Sequence, residues 1–133
     1  MTKILLDTCA WLWLSEGNSC ISKKVIKALP EIWLLSAISV WEVAVLVHKN
    51  RIALDRPLRN WVHTNLLEAP HIHLIPLEPD IAITSTQLAN CSLKDPADRI
   101  VIATAIEYKV PILTGDNQII DYAKKQYISF IKV

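Results

Sequence analysis

The sequence predicts an α/β domain, a three-layer α/β/α sandwich around a short, mostly parallel central sheet. Three observations predict it. Segments with strand and helix patterns alternate along the chain. The strand segments are short, unbroken apolar runs, as expected of parallel strands covered on both faces. Of the 133 residues, 52% are hydrophobic and only two are glycine, which suits one compact core.

The elements follow in order. "KILL" (3–6) is a buried strand ending at Asp7, and "TCAWLWL" (8–14) a short helix. "SKKVIKAL" (22–29) has Ser22 as a cap, an apolar stripe of Val25, Ile26 and Leu29, and Pro30 as its stop. "EIWLLS" (31–36) is the second strand, and "SAISVWEVAVLVHK" (36–49) continues as a helix. "PLRNWVHTNLL" (57–67) is amphipathic, with Leu58, Trp61, Val62, Asn65 and Leu66 on one side. "HIHLIPL" (71–77) is the third strand, "EPDIAITSTQLA" (78–89) a helix, and "DPADRIVIATAIEYK" (95–109) a long, nearly all-apolar helix. "VPILTG" (110–115) is the fourth strand, "DNQIIDYAKK" (116–125) a helix and "YISFIKV" (127–133) the last strand. No repeat, low-complexity tract or linker divides the chain, so residues 1–133 read as one domain.

A net charge of +1 does not by itself indicate a nucleic-acid binder, although a neutral total can hide a basic patch. Lys23, Lys24, Lys27, Lys49, Arg51, Arg56, Arg59, Lys94 and Arg99 are the residues available for one. Cys9, Cys20 and Cys91 form no CxxC pair, a pattern that suits a reducing cytosol and buried structural thiols. Cys9 adjoins Asp7, but no histidine lies near it in sequence to make it a nucleophile. The N-terminus lacks the apolar core of a signal peptide, and no apolar run approaches the roughly 18 residues of a membrane span. The expectation is a soluble, cytoplasmic protein with no membrane partner.

In parallel sheets ligands bind beyond the C-terminal strand ends. Asp7 closes the first strand, Glu42 lies shortly after the second, Asp95 and Asp98 open the long helix, and Asp116 follows the fourth strand. Carboxylates brought together in this way repel one another. Hard divalent cations such as Mg²⁺ or Mn²⁺ prefer carboxylate oxygens and relieve that repulsion. Helix capping is the competing explanation. "DPAD" places Asp95 as N-cap, Pro96 at the first helical position and Asp98 at the third. Asp7 and Asp116 are also placed to cap the helices they precede.

Glu42 divides the two explanations. If the helix starts at Ser39, "SVWE" is a capping box and Glu42 returns to its own helix end. If it starts at Ser36, Glu42 falls in the second turn beside Ile38, Ser39, Val45 and Leu46, where no cap explains it. The expectation tested below is the second, with Glu42 meeting Asp7, Asp98 and Asp116.

"ILLDTCAWLWL", "SAISVWEVAVLVHKNRIAL" (36–54), "DPADRIVIATAIEYKVPILTGD" (95–116) and the short closing strand together resemble the PIN-domain ribonucleases. The likeness is strongest to VapC-type toxins of bacterial toxin–antitoxin pairs and covers essentially the whole chain. The resemblance implies a metal-dependent endonuclease that hydrolyses RNA, uses Mg²⁺ or Mn²⁺, pairs with an antitoxin protein and forms a homodimer. It implies that Asp7, Glu42, Asp98 and Asp116 are the metal-binding carboxylates. It makes Thr8 and Thr114 supporting hydroxyls and gives Asp95 a supporting or capping role. Lys49, Arg51, Lys94 and Arg99 are possible RNA contacts, with an ion pair the preferred role for Arg99.

Four positions depart from the family pattern. Cys9 stands where a histidine is common, Leu93 and Lys94 replace His-Arg, and Ala97 replaces a bulky aromatic. None of these removes a carboxylate. Trp11, Trp33 and Trp41 sit in apolar runs and are expected in the core or a subunit interface, while His71 and His73 alternate as a weaker two-histidine metal site. The alternatives are a catalytically silent binding module of the same fold and a phosphatase- or receiver-like α/β domain. Against a phosphatase, Cys9 occupies the position where a second aspartate is needed.

Overall fold

The computed structural model describes residues 2–17 and 21–133. β1 (Lys3–Leu6) leads into α1 (Thr8–Glu16), and α2 (Lys23–Ala28) precedes β2 (Ile32–Ser36) and α3 (Ala37–His48). α4 (Leu58–Val62) runs on into a π-helical turn, His63–Leu67, before β3 (Ile72–Ile75) and α5 (Pro79–Thr86). α6 (Pro96–Tyr108), β4 (Ile112–Thr114), α7 (Asn117–Lys125) and β5 (Phe130–Lys132) complete the chain.

The strands form a sheet in the order β3-β2-β1-β4-β5. Every pairing is parallel, so the expected mostly parallel sheet is wholly so. β1 is central, with Leu6 beside Leu35 on one side and Leu113 on the other. Successive side chains of a strand point to opposite faces. Leu5 enters one core with Ile81 of α5, Val101 and Ile102 of α6, and Ile119 of α7. Ile4 and Leu6 enter the other with Trp11 of α1, Val43 of α3 and Trp61 of α4. These two cores explain why "KILL" shows no polar alternation.

The chain winds outward from β1 through β2 to β3, then crosses back to β4 on the far side of β1. That reversal lies between β1 and β4, and α/β sheets place their ligands beyond the C-terminal strand ends at such a point. Asp7 and Asp116 follow those two strand ends.

Several expectations need correction. α1 extends to Glu16 rather than residue 14, and ends where Gly17 takes a positive φ of 64° and its N–H donates to the Trp13 carbonyl. Ile26 was placed in an apolar stripe but is exposed; Val25 and Leu29 pack on the core without it. The later strands are shorter than their apolar runs, partly because Pro76 and Pro111 have no N–H to donate. Trp41 is 58% exposed, so its place is not the core of this chain and only the interface reading is left. The buried-thiol reading fails for Cys9, which is exposed, and Cys91 is half-buried. Cys20 lies outside the described residues. His71 packs edge-on against Trp33, and among the described residues no metal-holding group includes it or His73.

Candidate functional site

Local rules place each acid. Asp7 ends β1 and caps α1, accepting from the Ala10 N–H at 2.7 Å. It is buried, with 4% exposure. Thr114, at the end of the neighbouring β4, donates its hydroxyl to the other Asp7 oxygen. The Asp116 N–H donates to the Thr114 oxygen at 3.0 Å, and Asp116 caps α7 through Gln118 at 2.8 Å. One threonine thus ties together the acids that follow the two central strands.

α3 starts at Ala37 with Ser36 as its N-cap, whose Oγ accepts from the Ile38 N–H at 3.2 Å. The capping-box reading of Glu42 is therefore wrong: Glu42 sits in the second turn and does not return to its own helix end. Its Oε1 accepts from Thr8 Oγ1 at 2.6 Å. Oxygens of Glu42, Asp95 and Asp98 all lie within 4.8 Å of one another. Asp95 does both things the sequence left open. It caps α6 through the Ala97 N–H at 3.0 Å and also stands in this group.

The electrostatics follow from that crowding. Burial pushes the Asp7 carboxyl up to about 6, against the hydrogen bonds from Thr114 and Ala10, and Asp116 adds to the rise. Burial, then Asp95, Asp116, Glu42 and Asp7, raise Asp98 to about 7. Glu42 is raised by burial, opposed by its Thr8 hydrogen bond and reinforced by Asp95, Asp7 and Asp116. Among the described residues the ion pairs are Arg56–Asp55 and His63–Glu68, and neither touches these acids. The site is an all-oxygen donor set with a surplus of negative charge and, among the described residues, no ion pair to a protein cation. That chemistry fits a hard divalent ion. Although part of Cys9 is exposed, desolvation of its thiol and the same carboxylates push it up to about 11, which disfavours the thiolate a nucleophile needs.

The PIN-domain family profile matches residues 4–125. The chain belongs to the PIN-domain family. It is 33% identical over 122 residues to Ribonuclease VapC22 of Mycobacterium tuberculosis, covering 90% of this chain and 91% of the relative. The fold resembles that of VapBC-5 from Mycobacterium tuberculosis, a member of the VapBC family of toxin–antitoxin systems, with a TM-score of 0.67 at 17% identity over 100% of both chains. It also resembles Mycobacterium tuberculosis VapC20, a sarcin-ricin loop cleaving toxin, with a TM-score of 0.66 at 14% identity over 98% of each chain. This PIN domain is a VapC-type ribonuclease homologue, which displaces the phosphatase and receiver readings.

Other residues of the PIN domain find less expected places. Among the described residues Arg99 makes no ion pair; it donates to the Ser85 carbonyl at 3.0 Å and the Leu93 carbonyl at 3.1 Å, fastening the end of α5 to the turn before α6. Lys49, Arg51 and Lys94 are exposed. Lys94 adjoins Asp95, whereas Lys49 lies beyond Glu42 by about 10 Å of helix rise. Ser39, read from sequence as a cap or as a face neighbour of Glu42 but given no role at the site, is 0% exposed and reaches Thr8 at 2.9 Å. The available signal was its spacing of three from Glu42, which puts both on one helical face.

Gly115 separates Thr114 from Asp116, and a Cβ there would meet the Trp13 ring at 3.1 Å. Gly115→Ala is expected to cost about 1–3 kcal/mol through overpacking. A urea titration checks this, and an unchanged midpoint would mean that the Trp13 ring yields freely.

Proposed function

We propose that this PIN domain is the toxin of a toxin–antitoxin pair and hydrolyses RNA phosphodiester bonds at a centre of Mg²⁺ or Mn²⁺. The observation that carries the reading is the group of Glu42, Asp95 and Asp98, with no protein ion pair to it among the described residues and with Asp7 and Asp116 near enough to raise its carboxyls further. Asp7, Asp98 and Asp116 would hold the ion, and Glu42 would hold it or orient the attacking water. A divalent ion bound there supplies Lewis acidity toward the phosphoryl oxygens and a more acidic water. Thr114 keeps Asp7 turned toward Asp116, and Thr8 keeps Glu42 turned toward the cluster. Lys94, with Lys49 and Arg51 farther along, would contact RNA phosphates.

Water attacks phosphorus, the bond to the 3′ oxygen breaks, and that oxygen takes up a proton. The products are a 5′-phosphate and a 3′-hydroxyl. A 2′,3′-cyclic phosphate would overturn this mechanism, because it marks attack by the ribose itself.

The structural likeness to a toxin–antitoxin complex from Klebsiella pneumoniae and to VapBC-5 supports an antitoxin partner. The family resemblance supports a homodimer, and the exposed Trp41 is a side chain that a second copy would cover. The single sheet supports residues 1–133 as one domain. Among the described residues no helix is long and apolar enough to cross a membrane, and the scattered cysteines support a cytoplasmic location.

The test is to incubate the antitoxin-free protein with total RNA and Mg²⁺ or Mn²⁺, with and without EDTA. Cleavage is expected with metal and lost with EDTA, giving 5′-phosphate ends. RNA left intact under every condition would favour the silent binding module.

A further inference from the structure

Thr8 Oγ1 lies 2.6 Å from Glu42 Oε1 and 2.9 Å from Ser39 Oγ. A threonine hydroxyl has one proton to give. The carboxylate is the nearer acceptor and the charged one, so that proton goes to Glu42. Thr8 Oγ1 is then left as an acceptor, and the Ser39 hydroxyl faces it. Ser39 is completely buried, so water cannot take its place.

We infer that Ser39 is a positioning residue for the metal centre: its buried hydroxyl donates to Thr8, commits the Thr8 proton to Glu42, and holds that carboxylate toward Asp95 and Asp98. The chain crosses from α3 to α1 and back to α3. Thr8 directly follows Asp7, so the relay couples the acid of the α3 helix to the acid that ends β1. Hydrogen bonds arranged in series polarise one another, so Ser39 strengthens a bond it does not itself make. A buried helical serine more often bonds the carbonyl four residues back. Here its partner is Thr8 instead.

The inference rests on the proposed metal centre, so Mn²⁺ alone is the probe, read by the electron paramagnetic resonance of free Mn²⁺ against the whole chain. Thr8→Val is expected to weaken Mn²⁺ binding about tenfold or more, and Thr8→Ser to restore it to within about twofold. Ser39→Ala is expected to weaken binding about threefold. If Ser39 acts through Thr8, adding Ser39→Ala to Thr8→Val causes no further loss. Circular dichroism checks that each variant is folded. Ser39→Cys, close in volume and a weak donor, replaces Ser39→Ala should that variant fail to fold, with the same weakening expected. Wild-type affinity in a folded Ser39 variant, or a fully additive loss in the double variant, overturns the relay and leaves the metal centre standing. Failure of the wild type to bind Mn²⁺ removes the centre and the relay together.

Discussion

Asp98→Asn is expected to abolish RNA cleavage and, in the same molecule, to stabilise the metal-free protein. Loss of activity should reach at least about a hundredfold, because a metal ion's charge stabilisation amounts to several kcal/mol and an amide holds the ion poorly. The stability effect comes from the crowding. Asp98 is raised from 3.8 to about 7, and Asp7 from 3.8 to about 6. Between pH 4 and 7 the folded state therefore binds more protons than the unfolded state. Stability of the metal-free protein falls as pH rises through that window, and the loss is complete above it. Asparagine carries no charge, so the variant avoids the loss. In chelator at pH 8 its melting temperature should exceed that of wild type, with the gap closing toward pH 4. Millimolar Mg²⁺ should reverse the order, since the ion stabilises only the chain that binds it. A variant less stable than wild type at pH 8 without metal would refute the repulsion argument. Asp7→Asn should show the same pattern over the lower part of the window.

Trp11→Ala is expected to cost about 3–5 kcal/mol, a large share of the stability of one domain. Trp11 is 0% exposed and meets Trp61 edge-on, with ring centroids 4.9 Å apart. Its Nε1–H donates to the Asn65 carbonyl at 3.1 Å, and the Asn65 side chain donates to the Trp61 carbonyl at 3.0 Å. Alanine leaves a void and a half-buried carbonyl without its donor. Trp11→Phe keeps most of the volume and loses the donor, for a smaller cost of about 1–3 kcal/mol. Urea titrations give both numbers. Because Trp11 lies on the helix that carries Thr8, activity of Trp11→Phe should persist at temperatures well below its melt and collapse with the fold. Equal midpoints for wild type and Trp11→Ala would show that the Trp11–Trp61 core contributes nothing.

Element order and type were readable because patterns of this kind are local. A continuous apolar run such as "KILL" has only one comfortable home, a strand covered on both sides. "DPAD" announces a helix start wherever it occurs. Strand ends were less readable, since pairing to a neighbour decides where a strand stops. For Trp41 core and interface stayed open, because an apolar run does not say which of its faces lacks a partner. Arg99 lost its expected ion pair to two carbonyls that come close only after α5 and α6 pack.

By itself the sequence determined that this is an α/β domain with acids at strand ends and helix starts, and it carried the resemblance to PIN-domain nucleases. It could not decide what those acids do. At each helix start a capping acid and a ligand acid look alike, because both favour the positive end of the helix. The tertiary structure decided which of them stand together. It brought Glu42 to Thr8 and to Asp95 and Asp98, and tied Asp7 to Asp116 through Thr114. The physical reason is that repulsion among carboxylates depends on separation in space, and separation across a parallel sheet is set by strand order, which no local pattern encodes.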